Sequence, residues 1–170
     1  WLCDQLAPRR SATPGLGFSK RTPKKSVDQV LIEGAPAKDN ILPTEIPTLF
    51  ILPANIDLAG AEIELVGKKS REKILKGALD KVCGEFGYIL IDCPPGLGLL
   101  TINALTASDS VIIPIQSEYY ALEGLSQLMN TVSLVRQHLN HSLKVEGVAL
   151  TMYDSRSLIS RQIADEIKKY

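Results

Sequence analysis

From Thr48 onwards short apolar runs alternate with segments of helical period, and no other feature of the chain constrains its fold as tightly. Residues 48–52, 88–92, 110–115 and 145–151 read as strands. Between them lies first a helix capped by Asn55 or Asp57 and running to about residue 66, with Leu58, Ala61 and Leu65 on one face. Residues 71–83 repeat the spacing through Ile74, Leu75, Ala78, Leu79 and Val82, and a further helix covers about 99–107. Leu122, Leu125, Leu128, Met129, Val132 and Val135 mark a long amphipathic helix. The last helix starts at Ser157 or Ser160 and carries Ile159, Ile163 and Ile167. Strands joined by helices of this length need right-handed crossovers, whereas antiparallel neighbours need only tight turns. The pattern predicts an α/β fold, doubly wound around a mainly parallel sheet, with four strands. The final helix has no stop signal, which suggests a sheet left incomplete by shortening at the carboxyl side.

The run Tyr88-Ile89-Leu90-Ile91-Asp92-Cys93-Pro94-Pro95 is a buried strand that delivers one carboxylate to its carboxyl end. Strands of parallel sheets are covered on both faces, and ligands collect beyond their carboxyl ends. An acid placed there in a nucleotide-binding fold holds Mg²⁺ or its water, because oxygen ligands suit a hard cation. An aspartate capping the following helix is the competing local reading.

Composition narrows the function classes. A chain of 170 residues with 45% apolar content can bury a core of its own. Nineteen basic residues balance nineteen acidic ones, so there is no general attraction to nucleic acid or anionic membrane. Cys3, Cys83 and Cys93 lack the C-x-x-C spacing of a zinc or iron–sulfur site. They fit a reducing cytoplasm, with Cys93 filling space after its strand. His138 and His141 have no companion ligands and read as solvated or helix-terminal residues. No apolar run approaches the length of a membrane span, roughly 18 residues, and no secretory signal is present.

Residues 1–25 differ from the rest. Pro8, Pro14, Pro23, clustered bases and Gly15-Leu16-Gly17 read as a loop-rich amino end without a strand. Ser26 is placed to cap a short helix, and residues 33–47 return to turn chemistry. The division expected is therefore 1–25 as a divergent extension and 26–170 as the α/β domain.

Three blocks carry a family resemblance. They are Leu52-Pro53-Ala54-Asn55-Ile56-Asp57-Leu58-Ala59-Gly60-Ala61-Glu62-Ile63-Glu64-Leu65; the segment from Tyr88 through Pro95 and Leu99-Leu100-Thr101-Ile102-Asn103-Ala104-Leu105 to Pro114-Ile115-Gln116-Ser117-Glu118-Tyr119-Tyr120; and Gly147-Val148-Ala149-Leu150-Thr151-Met152-Tyr153-Asp154. In order and spacing they resemble the partition ATPases of the ParA/Soj type, P-loop proteins grouped with MinD. The resemblance implies that Asp92 is the Mg²⁺-associated acid and that the loop holding Pro94, Pro95 and Gly96, up to Gly98, lies near the γ-phosphate. It places Thr151, Met152 and Asp154 around the adenine, and Glu118 and Tyr119 near the nucleotide and dimer face. Local roles compete: Pro94 and Pro95 can end the strand, Asp154 can cap a turn, and Tyr119 can pack a helix start.

For intact members the resemblance implies ATP and Mg²⁺ as cofactors, a homodimer sandwiching nucleotide, non-specific DNA binding and a ParB-type partner, in a cytoplasmic, nucleoid-associated setting. Two departures qualify this for the present residues. The family's K-G-G-x-x-K-[ST] loop does not occur among them, and Gly67-Lys68-Lys69-Ser70 reads as a solvated basic loop between helices. Ser11-Ala12-Thr13-Pro14-Gly15-Leu16-Gly17 resembles the family's A-T-x-G-L-G, but Gln5 and Ala7 stand where D-x-D is expected, Arg9 replaces the glutamine, and Asp4 is displaced by one residue. Trp1-Leu2-Cys3 looks too short to rebuild the strand before it. Truncation and degeneration both account for these departures, and the functional alternative is a non-catalytic partner-binding or dimerisation module. A dinucleotide-binding oxidoreductase lacks support, since no G-x-G-x-x-G follows a strand.

Overall fold

The computed structural model describes residues 1–6, 25–54, 58–94, 96–118 and 121–168. They fall into two compact units, residues 1–108 and 109–170.

In the first unit the described strands form one sheet. It comprises β1 (Leu2–Gln5), β2 (Leu42–Pro43), β3 (Phe50–Leu52) and β4 (Ile89–Asp92), in the order β2-β3-β1-β4. β1 is parallel to both β3 and β4, and β2 is antiparallel at one edge. The expectation of a strandless amino end is thus overturned, since β1 is an inner strand. Its brevity and its polar Asp4-Gln5 end read as loop, yet pairing on both sides satisfies its backbone. Strand alternation sets Leu2, Asp4 and Leu6 on one face, and all three are fully buried. An aspartate therefore stands between two core leucines.

Helices cover this sheet. Residues Gln29–Glu33 form a π-helical turn that ends at Gly34 in the left-handed region, φ 72°. Helical residues begin at Val27, directly after Ser26, and the Ser26 N–H donates to Asn40 Oδ1 at 3.2 Å. Within the expected turn region lie a short helix, α1 (Ala37–Asn40), and β2. α2 (Leu58–Val66) buries Leu58, Ala61 and Leu65 as its spacing predicts, while its proposed caps Asn55 and Asp57 lie outside the described residues. The 71–83 pattern resolves into the 3₁₀ turn Arg71–Lys73, α3 (Ile74–Leu79) and a second 3₁₀ turn, Cys83–Glu85. α4 (Leu99–Ala107) has the expected bounds. Its Asn103 is fully buried and accepts from the Leu75 N–H at 3.1 Å while donating to the carbonyls of Arg71 at 2.7 Å and Leu99 at 2.9 Å. One amide thereby clamps the start of α3 to α4.

The second unit pairs β5 (Ser110–Gln116) in parallel with β6 (Lys144–Thr151). The crossover is α5 (Ala121–His138), and α6 (Leu158–Ile167) follows β6. Ser157 rather than Ser160 caps α6, its hydroxyl accepting from the Ser160 N–H. Ile113, Ile115 and Leu125 form the core of this unit. Coverage on both faces is incomplete among the described residues, because Leu90 on β4 and Ile112 on β5 are 52% and 64% exposed. Ile89, Ile91 and Ile113 point inward instead.

Candidate functional site

The strand order of the first unit reverses at β1: one crossover leads from β1 to β3, and the next passes back to β4 on the other side. Such a switch point opens a crevice at the carboxyl ends of the strands, where open α/β sheets bind ligands. Gln5 and Asp92 are register partners at those ends, and the Leu6 N–H donates to the Asp92 carbonyl at 2.8 Å. The strand missed in the sequence therefore holds the backbone of the acid that was found in it.

The Asp92 side chain is exposed, yet neighbouring protein strips enough water from it to raise its carboxyl above the ordinary range. No positive group offsets this among the described residues, and no cluster of three potential metal ligands occurs among them. One carboxylate at a strand end fits Mg²⁺, which keeps several waters and takes one or two protein carboxylates besides substrate phosphates. Burial pushes the Cys93 thiol up to about 12, with Asp4 and Asp92 adding repulsion, so Cys93 stays protonated and fills space as expected. Cys3 is raised for the same reasons. Asp4 lies deeper still. Neither of its oxygens has a hydrogen-bond partner among the described residues, and burial raises its carboxyl to about 7.

Beyond Asp92, two hydrogen bonds hold the start of α4, one to Gly96 and one to α2. The Thr101 hydroxyl donates to the Gly96 carbonyl at 2.5 Å, and the Leu100 N–H donates to Glu62 Oε1 of α2 at 3.3 Å. Pro94 is half-buried, Gly96 is exposed, and Pro95 lies outside the described residues. Sequence reasoning missed Glu62 and Asn103. The signal for Glu62 was a charged residue beside Ala61 on the helix stripe that carries Leu58 and Leu65.

The residues assigned to adenine lie in the second unit, Thr151 at the end of β6 and Met152 and Asp154 just after it. The Thr151 hydroxyl donates to the Ile115 carbonyl at 3.1 Å, and the Thr151 carbonyl accepts from Ser117. Met152 is 81% exposed with φ 55°, a left-handed conformation uncommon outside glycine. Asp154 accepts from the Arg156 backbone N–H at 2.9 Å and from its guanidinium at 3.1 Å, which holds the carboxyl below the ordinary range. This is the turn-capping geometry. Glu118 is exposed, its N–H donating to the Gln116 carbonyl, and Tyr119 lies outside the described residues.

Comparison with known proteins places this arrangement. The AAA domain family matches residues 2–145, which include β1. The sporulation initiation inhibitor protein Soj of Bacillus subtilis is 56% identical over 99% of this chain and 67% of its own length. The chromosome partitioning protein ParA of Myxococcus xanthus is 49% identical over 99% of the chain and 60% of its own. The chain belongs to the ParA/Soj family of partitioning ATPases. It spans about two thirds of the length of these curated relatives. Among solved structures, the Mycobacterium smegmatis protein named cobyrinic acid a,c-diamide synthase, with bound ATP analogue and magnesium, matches with TM-score 0.91 at 40% identity, over 99% of this chain and 68% of that one. An ATP complex of a Cyanothece McdA variant matches with TM-score 0.90 at 20% identity, over 99% of this chain and 66% of that one, a likeness of fold alone. The ParA/Soj chain thus has the mostly parallel, helix-covered sheet of P-loop ATPases, as its strand pattern implied.

Proposed function

We propose that this chain is the Mg²⁺- and switch-bearing portion of a partitioning ATPase, and that its parent protein moves chromosomal or plasmid DNA in an ATP-dependent cycle. The observation that carries the reading is Asp92 at the carboxyl end of β4, its carboxylate without a cationic partner among the described residues, followed by a loop fastened to α4. Asp92 would hold Mg²⁺ directly or through water. Bound there, the ion would neutralise phosphate charge. Pro94, Pro95 and Gly96 would face the terminal phosphate, and Thr151, Met152 and Asp154 the base. The nucleotide-binding region is assigned to 26–170, with β1 joined to it from the amino end. Soj and ParA at 56% and 49% identity favour partitioning over the synthase named at 40%.

In this reading ATP favours a homodimer because both protomers contact its phosphates, and hydrolysis removes that preference. A ParB-type partner and non-specific DNA complete the cycle in a cytoplasmic, nucleoid-associated setting. No helix among the described residues is long and apolar enough to cross a membrane. The test is calorimetric titration of the purified chain with ATP, with and without Mg²⁺. Saturable, Mg²⁺-dependent binding that Asp92→Asn weakens at least tenfold is expected. A folded chain that binds no nucleotide would instead point to a non-catalytic module acting through a partner or a second copy.

A further inference from the structure

α4 begins with a glycine at its N-cap, and a glycine has no side chain with which to satisfy the first free N–H groups of the helix. The acceptor comes from another helix. Glu62 on α2 reaches across to place Oε1 3.3 Å from the Leu100 nitrogen, at the second helical position. A carboxylate is the best group for this place, because the helix dipole is positive there. The packing is close: a Cβ added at Gly98 would lie 2.1 Å from Glu62 Oε1 and 2.8 Å from its carboxyl carbon, far inside contact distance. Gly98 has φ −82° and ψ −171°, which any residue adopts, so what a side chain here would displace is the Glu62 carboxylate and not the backbone. Thr101, one residue further along α4, holds the Gly96 carbonyl.

We propose that Glu62 is a positioning residue for the loop between Asp92 and α4. It substitutes for the missing N-cap side chain, fixes where α4 starts, and thereby sets the placement of Gly96 to Gly98 just before it. Its meaning for nucleotide response rests on the function proposed above, but the contact itself does not. Glu64, exposed on the same helix, supplies the control.

The experiment is residue-resolved amide hydrogen exchange on the whole chain without nucleotide, so its outcome is independent of ATP binding. Glu62→Ala is expected to speed exchange at Leu100 and along 96–98 about tenfold, the worth of one hydrogen bond. Glu62→Gln keeps an acceptor and restores most of the protection. Gly98→Ala evicts the carboxylate, reproduces Glu62→Ala, and adds nothing when combined with it. Glu64→Ala changes nothing. The proposal is overturned if Leu100 exchange is unchanged in folded Glu62→Ala or Gly98→Ala, if the two effects add, or if acceleration spreads evenly over the first unit.

Discussion

Two strand ends bear the acids that sequence reading singled out, and the structure treats them in opposite ways. At the end of β4, Asp92 has no cation beside it among the described residues and its carboxyl is raised by lost hydration. Beyond β6, Asp154 is gripped by Arg156 and its carboxyl is lowered. The first is a carboxylate without a counter-charge among the described residues, its backbone carbonyl held by the Leu6 N–H that follows β1. The second is neutralised by its own turn. Position at a strand end therefore does not settle how an acid is held; the presence or absence of a built-in counter-charge does.

The contrast predicts that perturbing the surround of β4 has large effects and perturbing the β6 turn small ones. The largest concerns Asp4, behind the β4 end. Its carboxyl titrates at about 7 when folded against about 4 when unfolded. Between those values the native state holds a proton that the unfolded chain has released, so the contribution of this group to stability is fully present below about pH 4 and is lost as pH rises through about 7, by roughly 4 kcal/mol. Urea unfolding across pH 4–8 of the wild type and of Asp4→Asn should give a difference in stability that falls with pH by this amount; a difference independent of pH would refute it. Next, Asn103→Ala strips partners from the Leu75 N–H and the Arg71 carbonyl, and should cost about 3 kcal/mol in chemical denaturation. Asp92→Asn should leave stability within about 0.5 kcal/mol of wild type, since the residue is exposed. Smallest of all, Arg156→Ala breaks an exposed pair and should leave the thermal midpoint unchanged, though the Asp154 carboxyl followed by NMR should move back towards its ordinary range. A large loss of stability there would erase the contrast between the two strand ends.

Much of this was legible in residue spacing. The bounds of α4 match their expectation, and the buried face of α2 was read from Leu58, Ala61 and Leu65 because helical period alone decides which side chains share a face. Asp92 was legible because four apolar residues ending in an acid and prolines is a local pattern. β1 was not. Leu2-Cys3-Asp4-Gln5 is too short and too polar to signal a strand, and only neighbours on both sides, β3 and β4, make it one. β2 contains two residues and exists only as a partner of β3.

The sequence by itself determined the family, the alternation of strands and helices, and the acid at the end of β4, all properties carried by residues close together in the chain. Tertiary structure decided which polar side chains are ties between elements. Glu62 meets Leu100 across 38 positions and Asn103 meets Leu75 across 28, contacts that no local window contains. It also decided that Asp4 is buried without a partner among the described residues, since the environment of a carboxylate is set by whatever folds around it.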